Sequence, residues 1–185
     1  MAVTKITTPL TDDVVRGLRA GDEVAVTGVV YQARDAAHKR LVALIEAGEP
    51  LPFELQGAVI YYMGPSPARP GQVIGSAGPT TSGRMDAYAP LLMAHGLKGM
   101  IGKGLRTPEV KQAMVEAPAV YLAATGGAGA LLSRRIVGNE VIAYPELGAE
   151  AIARLEVSDF PAIVVNDSYG ADLYEEGRRR YARTV

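Results

Sequence analysis

Apolar residues in this chain fall into short runs separated by loops rich in glycine, proline and hydroxyl side chains, the pattern of a domain built from both strands and helices. Residues 24–31, Val-Ala-Val-Thr-Gly-Val-Val-Tyr, are rich in β-branched side chains and predict a strand. Residues 58–63, 99–101, 120–124 and 162–165 are short apolar runs of the kind that form buried strands. Between them the spacing turns helical. Thr11-Asp-Asp caps a helix within residues 7–20 whose Val14, Val15 and Leu18 share a face, and Asp35 opens another that presents Leu41, Leu44 and Ile45 before Ala47-Gly48 stops it. Residues 86–95 predict a helix with Pro90 in its first turn, and Thr107-Pro108 starts one with Val110, Ala113 and Met114 on its buried face. Residues 128–133 and 149–155 predict two more. The order gives an α/β or α+β domain, more β-rich in its first half and alternating in its second, with strands that feed loops at one end of a sheet. The length of 185 residues suits one domain over 1–185, with residues 1–9 and 173–185 at its periphery.

Composition narrows the chemistry. A formal net charge of −1 gives no electrostatic reason to expect nucleic acid. The basic run Arg178 to Arg180 lies beside Glu175 and Glu176 and reads as a solvated terminal helix. No apolar stretch reaches a membrane span and residues 1–10 lack a signal-peptide core, so the cytoplasm is the expected compartment. The absence of cysteine excludes a thiol nucleophile, disulfides and thiolate ligation of a cluster by this chain. His38 and His95 are too few for a histidine-based zinc site. Any metal or cluster the reaction needs must come mostly from another chain.

Polar residues concentrate where the strands end. In Gly78-Pro-Thr-Thr-Ser-Gly-Arg-Met-Asp86, the hydroxyls of Thr80, Thr81 and Ser82 and the Arg84 guanidinium stand between glycines, a set suited to a carboxylate and equally able to form a polar turn. Gly102-Lys-Gly-Leu-Arg106 places Lys103 and Arg106 between a strand and a helix; they are anion ligands or ordinary surface charges, and the spacing is not that of a P-loop. Thr125-Gly126-Gly127 bares backbone at a third strand end, for a ligand or for tight helix packing. Such loops would converge on the ligand-binding side of a sheet. A further cluster, Arg34-Asp35-Ala-Ala-His38, sets Asp35 and His38 on one helical face with Arg34 at the strand end, although Asp35 could simply cap the helix.

Taken with Tyr121-Leu-Ala-Ala-Thr-Gly-Gly127, Tyr144-Pro-Glu-Leu-Gly148, Arg34-Asp-Ala-Ala-His-Lys-Arg40 and Glu156-Val-Ser-Asp-Phe-Pro161, these segments closely resemble the beta subunit of class I, iron–sulfur-dependent fumarate hydratases and L(+)-tartrate dehydratases, over residues 10–172. The resemblance implies an α/β fold of the swivelling β/β/α type. It implies a partner alpha subunit that carries a [4Fe–4S] cluster whose open iron acts as a Lewis acid, and assembly as an alpha2beta2 heterotetramer. It implies a hydro-lyase of the fumarate-to-(S)-malate kind, active only with that partner, and no metal ligand on this chain. Substrate binding would fall to Arg84 and Arg106, with Thr81, Ser82, Arg34, Gly126 and Gly127 around them, and catalysis to Lys103 and His38. The alternatives are a tartrate dehydratase beta subunit and a carboxylate-binding or scaffold module with no catalytic role.

Overall fold

The computed structural model describes residues 3–183. Among the described residues seven strands run in the order β1 (Thr4–Thr7), β2 (Glu23–Gln32), β3 (Val59–Tyr61), β4 (Gly99–Gly102), β5 (Val120–Ala123), β6 (Ile136–Ala143) and β7 (Ile152–Asn166). Strands β2 to β5 pair in parallel as neighbours, β5 pairs antiparallel with β7, and β7 returns antiparallel to β2. The sheet therefore closes on itself as a β2-β3-β4-β5-β7 ring. β1 adds in parallel beside the first half of β2, and β6 adds antiparallel beside the first half of β7.

Closure explains the apolar runs. Successive side chains of a strand face opposite ways, and here both faces are covered. Val59, Tyr61, Met63, Ile101, Val120 and Leu122 join one core with Val26, Leu155, Phe160 and Val164. Ile60, Tyr62, Met100 and Tyr121 enter a second core under the helices α2 (Asp35–Ala47), α3 (Ala89–Ala94) and α4 (Pro108–Glu116). The helix starts and stops follow the capping signals: Thr11 accepts from the Val14 amide at the head of α1 (Asp12–Gly17), Gly48 ends α2 at φ 67°, and Pro108 sits in the first turn of α4. Two short helices remain, α5 (Gly129–Leu132) and the C-terminal α6 (Leu173–Tyr181), which buries none of its residues.

The structure departs from the sequence expectation most in the second half. Residues 149–155 form no α-helix: a 3-10 segment at Pro145–Glu150 leads directly into β7, a strand of 15 residues. Ala, Leu and Glu there favour a helix in isolation, but their alternating burial and pairing to strands on both sides outweigh that weak preference. β6, interrupted by Gly138-Asn139, carries no clear strand signal of its own and exists as the partner of β7. The longest strand thus lies in the half expected to alternate. β1 likewise adds a strand within residues 1–9, with Ile6 in the core.

Phe160 closes the ring from inside, with 1% of its surface exposed and its ring edge-on to Tyr61 at 5.2 Å. Replacement by alanine is expected to cost about 3–5 kcal/mol, measured as a lowered urea midpoint. A loss below about 1 kcal/mol would mean the ring interior repacks freely.

Candidate functional site

The parallel strands β3, β4 and β5 end on one side of the ring, and the loops that leave them are stitched together by backbone hydrogen bonds. The Thr80 amide donates to the Tyr62 carbonyl at 2.7 Å, the Lys103 amide to Thr80 at 3.3 Å, the Ser82 amide to Lys103 at 2.8 Å and the Ala124 amide to Gly102 at 2.9 Å. The three strand-end loops singled out in the sequence therefore meet. A side chain built at Gly126 would come within 3.6 Å of the Lys103 Cδ, which places the bare Gly126 backbone under the lysine stem.

Glycine at position 102 leaves room beside Ser82. A Cβ there would fall 2.0 Å from the Ser82 Oγ. That space lets Ser82 turn inward, where its hydroxyl meets the Tyr121 hydroxyl at 2.9 Å while Tyr121 donates to the Gly104 carbonyl at 2.9 Å. Because the one Tyr121 proton is spent on Gly104, Ser82 is the donor of the pair. Ser82 is accordingly buried, whereas Thr81 beside it is exposed.

Arg84 and Arg106 have opposite environments. Arg84, on the 3-10 turn Ser82–Met85, keeps half of its side chain in solvent and donates from Nη2 to the Asp35 carboxylate. Arg106 has no exposed side-chain surface. Its Nε donates to Asp86 Oδ1 at 2.6 Å, and the other Asp86 oxygen accepts from the Thr107 amide at 2.7 Å. The guanidinium lies between the rings of Tyr121 and Tyr62, at 5.0 and 5.5 Å from their centroids. Burial raises both phenols, so both are neutral at physiological pH. Arg106 thus fills the floor beneath the loops, and Arg84 stands on the open face.

Arg34 leaves the end of β2 as the N-cap residue of α2. Its guanidinium pairs with Glu150 at 3.2 Å and lies 3.9 Å from Asp35. Asp35 makes no capping bond to its own helix; Glu150 accepts from the Ala36 amide instead, at 3.2 Å. His38 sits one turn further on and is fully buried. Its Nδ1 lies 2.9 Å from the Arg34 carbonyl, so in the neutral ring Nδ1–H is the donor and Nε2 is bare. His38 therefore faces the core beside Tyr62, with ring centroids 5.2 Å apart, and not the open face. Gly126 and Gly127 are exposed, Gly127 at φ 80°. Sequence reasoning gives no role to Asp86, Tyr62, Tyr121 or Glu150. Asp86 and Tyr121 lie within recognisable motifs, but their partners are fixed only by packing.

A family model described as the C-terminus of fumarase matches residues 2–177. The chain belongs to that family. It is 42% identical over 155 residues to the anaerobic class I fumarate hydratase of Escherichia coli strain K12, and 39% identical over 158 residues to fumarate hydratase 2 of Leishmania major. These alignments cover 83% and 84% of this chain, which spans only 28% of either relative. A putative L(+)-tartrate dehydratase subunit beta of Methanocaldococcus jannaschii is 37% identical over 177 residues, covering 92% of this chain and 91% of its own length. The closed sheet with flanking helices is the β/β/α architecture of the fumarase C-terminus.

The residues of this chain do not suit a cluster. It has no cysteine, and among the described residues no group of three or more His, Asp or Glu is placed to hold a metal ion. Nor is any helix among those residues long and apolar enough to cross a membrane.

Burial lowers the His38 pKa from 6.5 to about 4, against the opposing pull of the Arg34 carbonyl. Because the unfolded histidine takes up a proton more readily, its share of stability is complete above pH 6.5 and is lost as pH falls towards 4, by on the order of 3 kcal/mol. Unfolding free energies at pH 7 and pH 4.5 should therefore differ more in the native chain than in His38→Asn. Equal losses would show that His38 titrates normally when folded.

Proposed function

We propose that this chain is the beta subunit of a class I fumarate hydratase, which hydrates fumarate reversibly to (S)-malate, and that it contributes the carboxylate-holding half of the active site. The observation that carries this reading is that the loops bearing Arg84 and Lys103 are hydrogen-bonded to each other, with the bare Gly126 backbone under the Lys103 stem and all three residues exposed, backed by family membership. Among the described residues Lys103 has no acidic partner, so its charge is available to a dianion. Arg84 gives one Nη2 hydrogen to Asp35 and retains the other, which with either Nε–H or Nη1–H makes a fork for a substrate carboxylate. Arg34, the Thr81 hydroxyl and the amides of Gly126 and Gly127 complete the set.

Dehydration of malate removes a proton from C3 and hydroxide from C2, and charge builds on the adjacent carboxylate as the proton leaves. Arg84 and Lys103 stabilise that charge, with Lys103 the group of this chain nearest in kind to a catalytic residue. Arg106, Ser82 and His38 act from below: each is buried, and each is bonded to a group that fixes a loop of the open face. The [4Fe–4S] cluster and its Lewis acidity are assigned to a partner alpha subunit in an alpha2beta2 assembly, which would cover the exposed face. Sizing of the co-expressed chains tests that assembly.

Arg84→Lys keeps the charge and loses the fork. In the complex it is expected to lower kcat/KM by about 100-fold or more, equivalent to about 2.7 kcal/mol of transition-state stabilisation, with little change in melting temperature. Near-normal turnover with a lowered melting temperature would make Arg84 structural.

The Methanocaldococcus relative, matched over nearly its full length, favours a second reading in which the substrate is L(+)-tartrate. The two substrates differ by one hydroxyl. Assay of the complex on both acids decides: kcat/KM is expected to favour malate, and a preference for tartrate of about 10-fold or more would overturn the first reading.

A further inference from the structure

Two arginines of the open face come from separate parts of the chain, and one carboxylate lies between them. Arg34 follows β2, whereas Arg84 belongs to the turn beyond β3. Asp35 accepts from Arg84 Nη2 and approaches Arg34 Nη2 to 3.9 Å. The free amides at the head of α2 need an acceptor, and Asp35, one position past the N-cap, makes no bond to them. That work is done by Glu150, whose Oε2 takes the Ala36 amide at 3.2 Å while its Oε1 takes Arg34 at 3.2 Å. Asp35 is thereby left to reach across to the Ser82–Met85 turn.

The rear of Arg34 is equally fixed. A side chain at Gly64 would come within 2.7 Å of Arg34 Nη1 and 2.9 Å of the Ala149 carbonyl, so the guanidinium is seated against bare backbone. The Arg34 carbonyl is held by His38, through the amide at 2.8 Å and Nδ1 at 2.9 Å. Arg34 is thus anchored on three sides. Arg84 is not: half of its side chain is solvated, and its only ion-pair partner among the described residues is Asp35, itself about three-quarters buried. A long side chain with that freedom loses rotamer entropy on binding a ligand unless something orients it beforehand.

We infer that Asp35 is a positioning residue, which transmits the rigid placement of Arg34 and the head of α2 to Arg84 and so sets the guanidinium for a substrate carboxylate. The inference rests on the reading of Arg84 as a dicarboxylate ligand and adds to it the group that makes Arg84 effective. One alternative gives the opposite sign. A carboxylate so close to the substrate would compete with it for the same fork, and neutralising it would then tighten binding.

Steady-state kinetics of the alpha–beta complex with L-malate separate these. Asp35→Asn is expected to raise KM about 10-fold with a smaller effect on kcat and an unchanged melting temperature, because the loss is one of pre-orientation and not of chemistry. On an Arg84→Lys background the same substitution should add little further, since it acts through the lost fork. Asp35→Glu, which keeps the charge but moves it, is expected to raise KM by less, and it carries the test if the amide variant does not fold. A wild-type or lowered KM in either variant, with Arg84→Lys impaired, overturns the role of Asp35 and leaves the proposed reaction standing. An unimpaired Arg84→Lys complex overturns the reading of the site, and the inference with it.

Discussion

The Asp86 carboxylate binds Arg106 Nε at 2.6 Å and the Thr107 amide at 2.7 Å, and almost no surface of either side chain reaches water. This pair ties the turn that carries Arg84 to the loop that carries Lys103, which the chain separates by a helix and a strand. A buried ion pair adds little net stability against apolar residues of the same size, because desolvation offsets its attraction, but it tolerates no loss of one partner. It therefore acts as a clamp with one register. Tyr62 and Tyr121 flank the guanidinium, and Tyr121 passes the order on through Ser82 and the Gly104 carbonyl.

Above that clamp the barrel leaves its cationic groups on an open face. The closed ring inside and the helices outside bury both faces of β3 to β5, so in this part of the sheet backbone and polar side chains meet a ligand at the loops of the strand ends. Arg84, Lys103, Gly126 and Gly127 are exposed there. An exposed cationic face with a rigid floor is what half of a shared active site requires, because electrostatic stabilisation gains its strength only once a second surface excludes water.

The strand and helix signals that held were those in which local pattern and burial agree. β-branched residues in β2, continuous apolar runs in β3 to β5, and the Gly48 and Pro108 signals all favour the observed state before any tertiary contact forms. The apolar run at 162–165 likewise marks the end of β7, whereas β6 and the first half of β7 were not legible in that way. Residues 149–155 carry helix-favouring side chains, and only pairing with β2 and β6 makes them a strand.

For the site, residue type and spacing already show which groups bear the charge and where backbone is bare: Arg34, Arg84, Lys103, Arg106 and the Gly126-Gly127 loop are distinctive without any fold. Which of them face water depends on the folded packing. Arg84 and Arg106 look alike in the sequence, each a cation in a glycine-containing loop. One stands half in solvent and the other is buried between two phenols, because Asp86, Tyr62 and Tyr121 reach Arg106 while Arg84, among the described residues, pairs with Asp35 alone. Those partners lie far apart along the chain, and local spacing carries no information about which of two similar side chains a folded core will enclose.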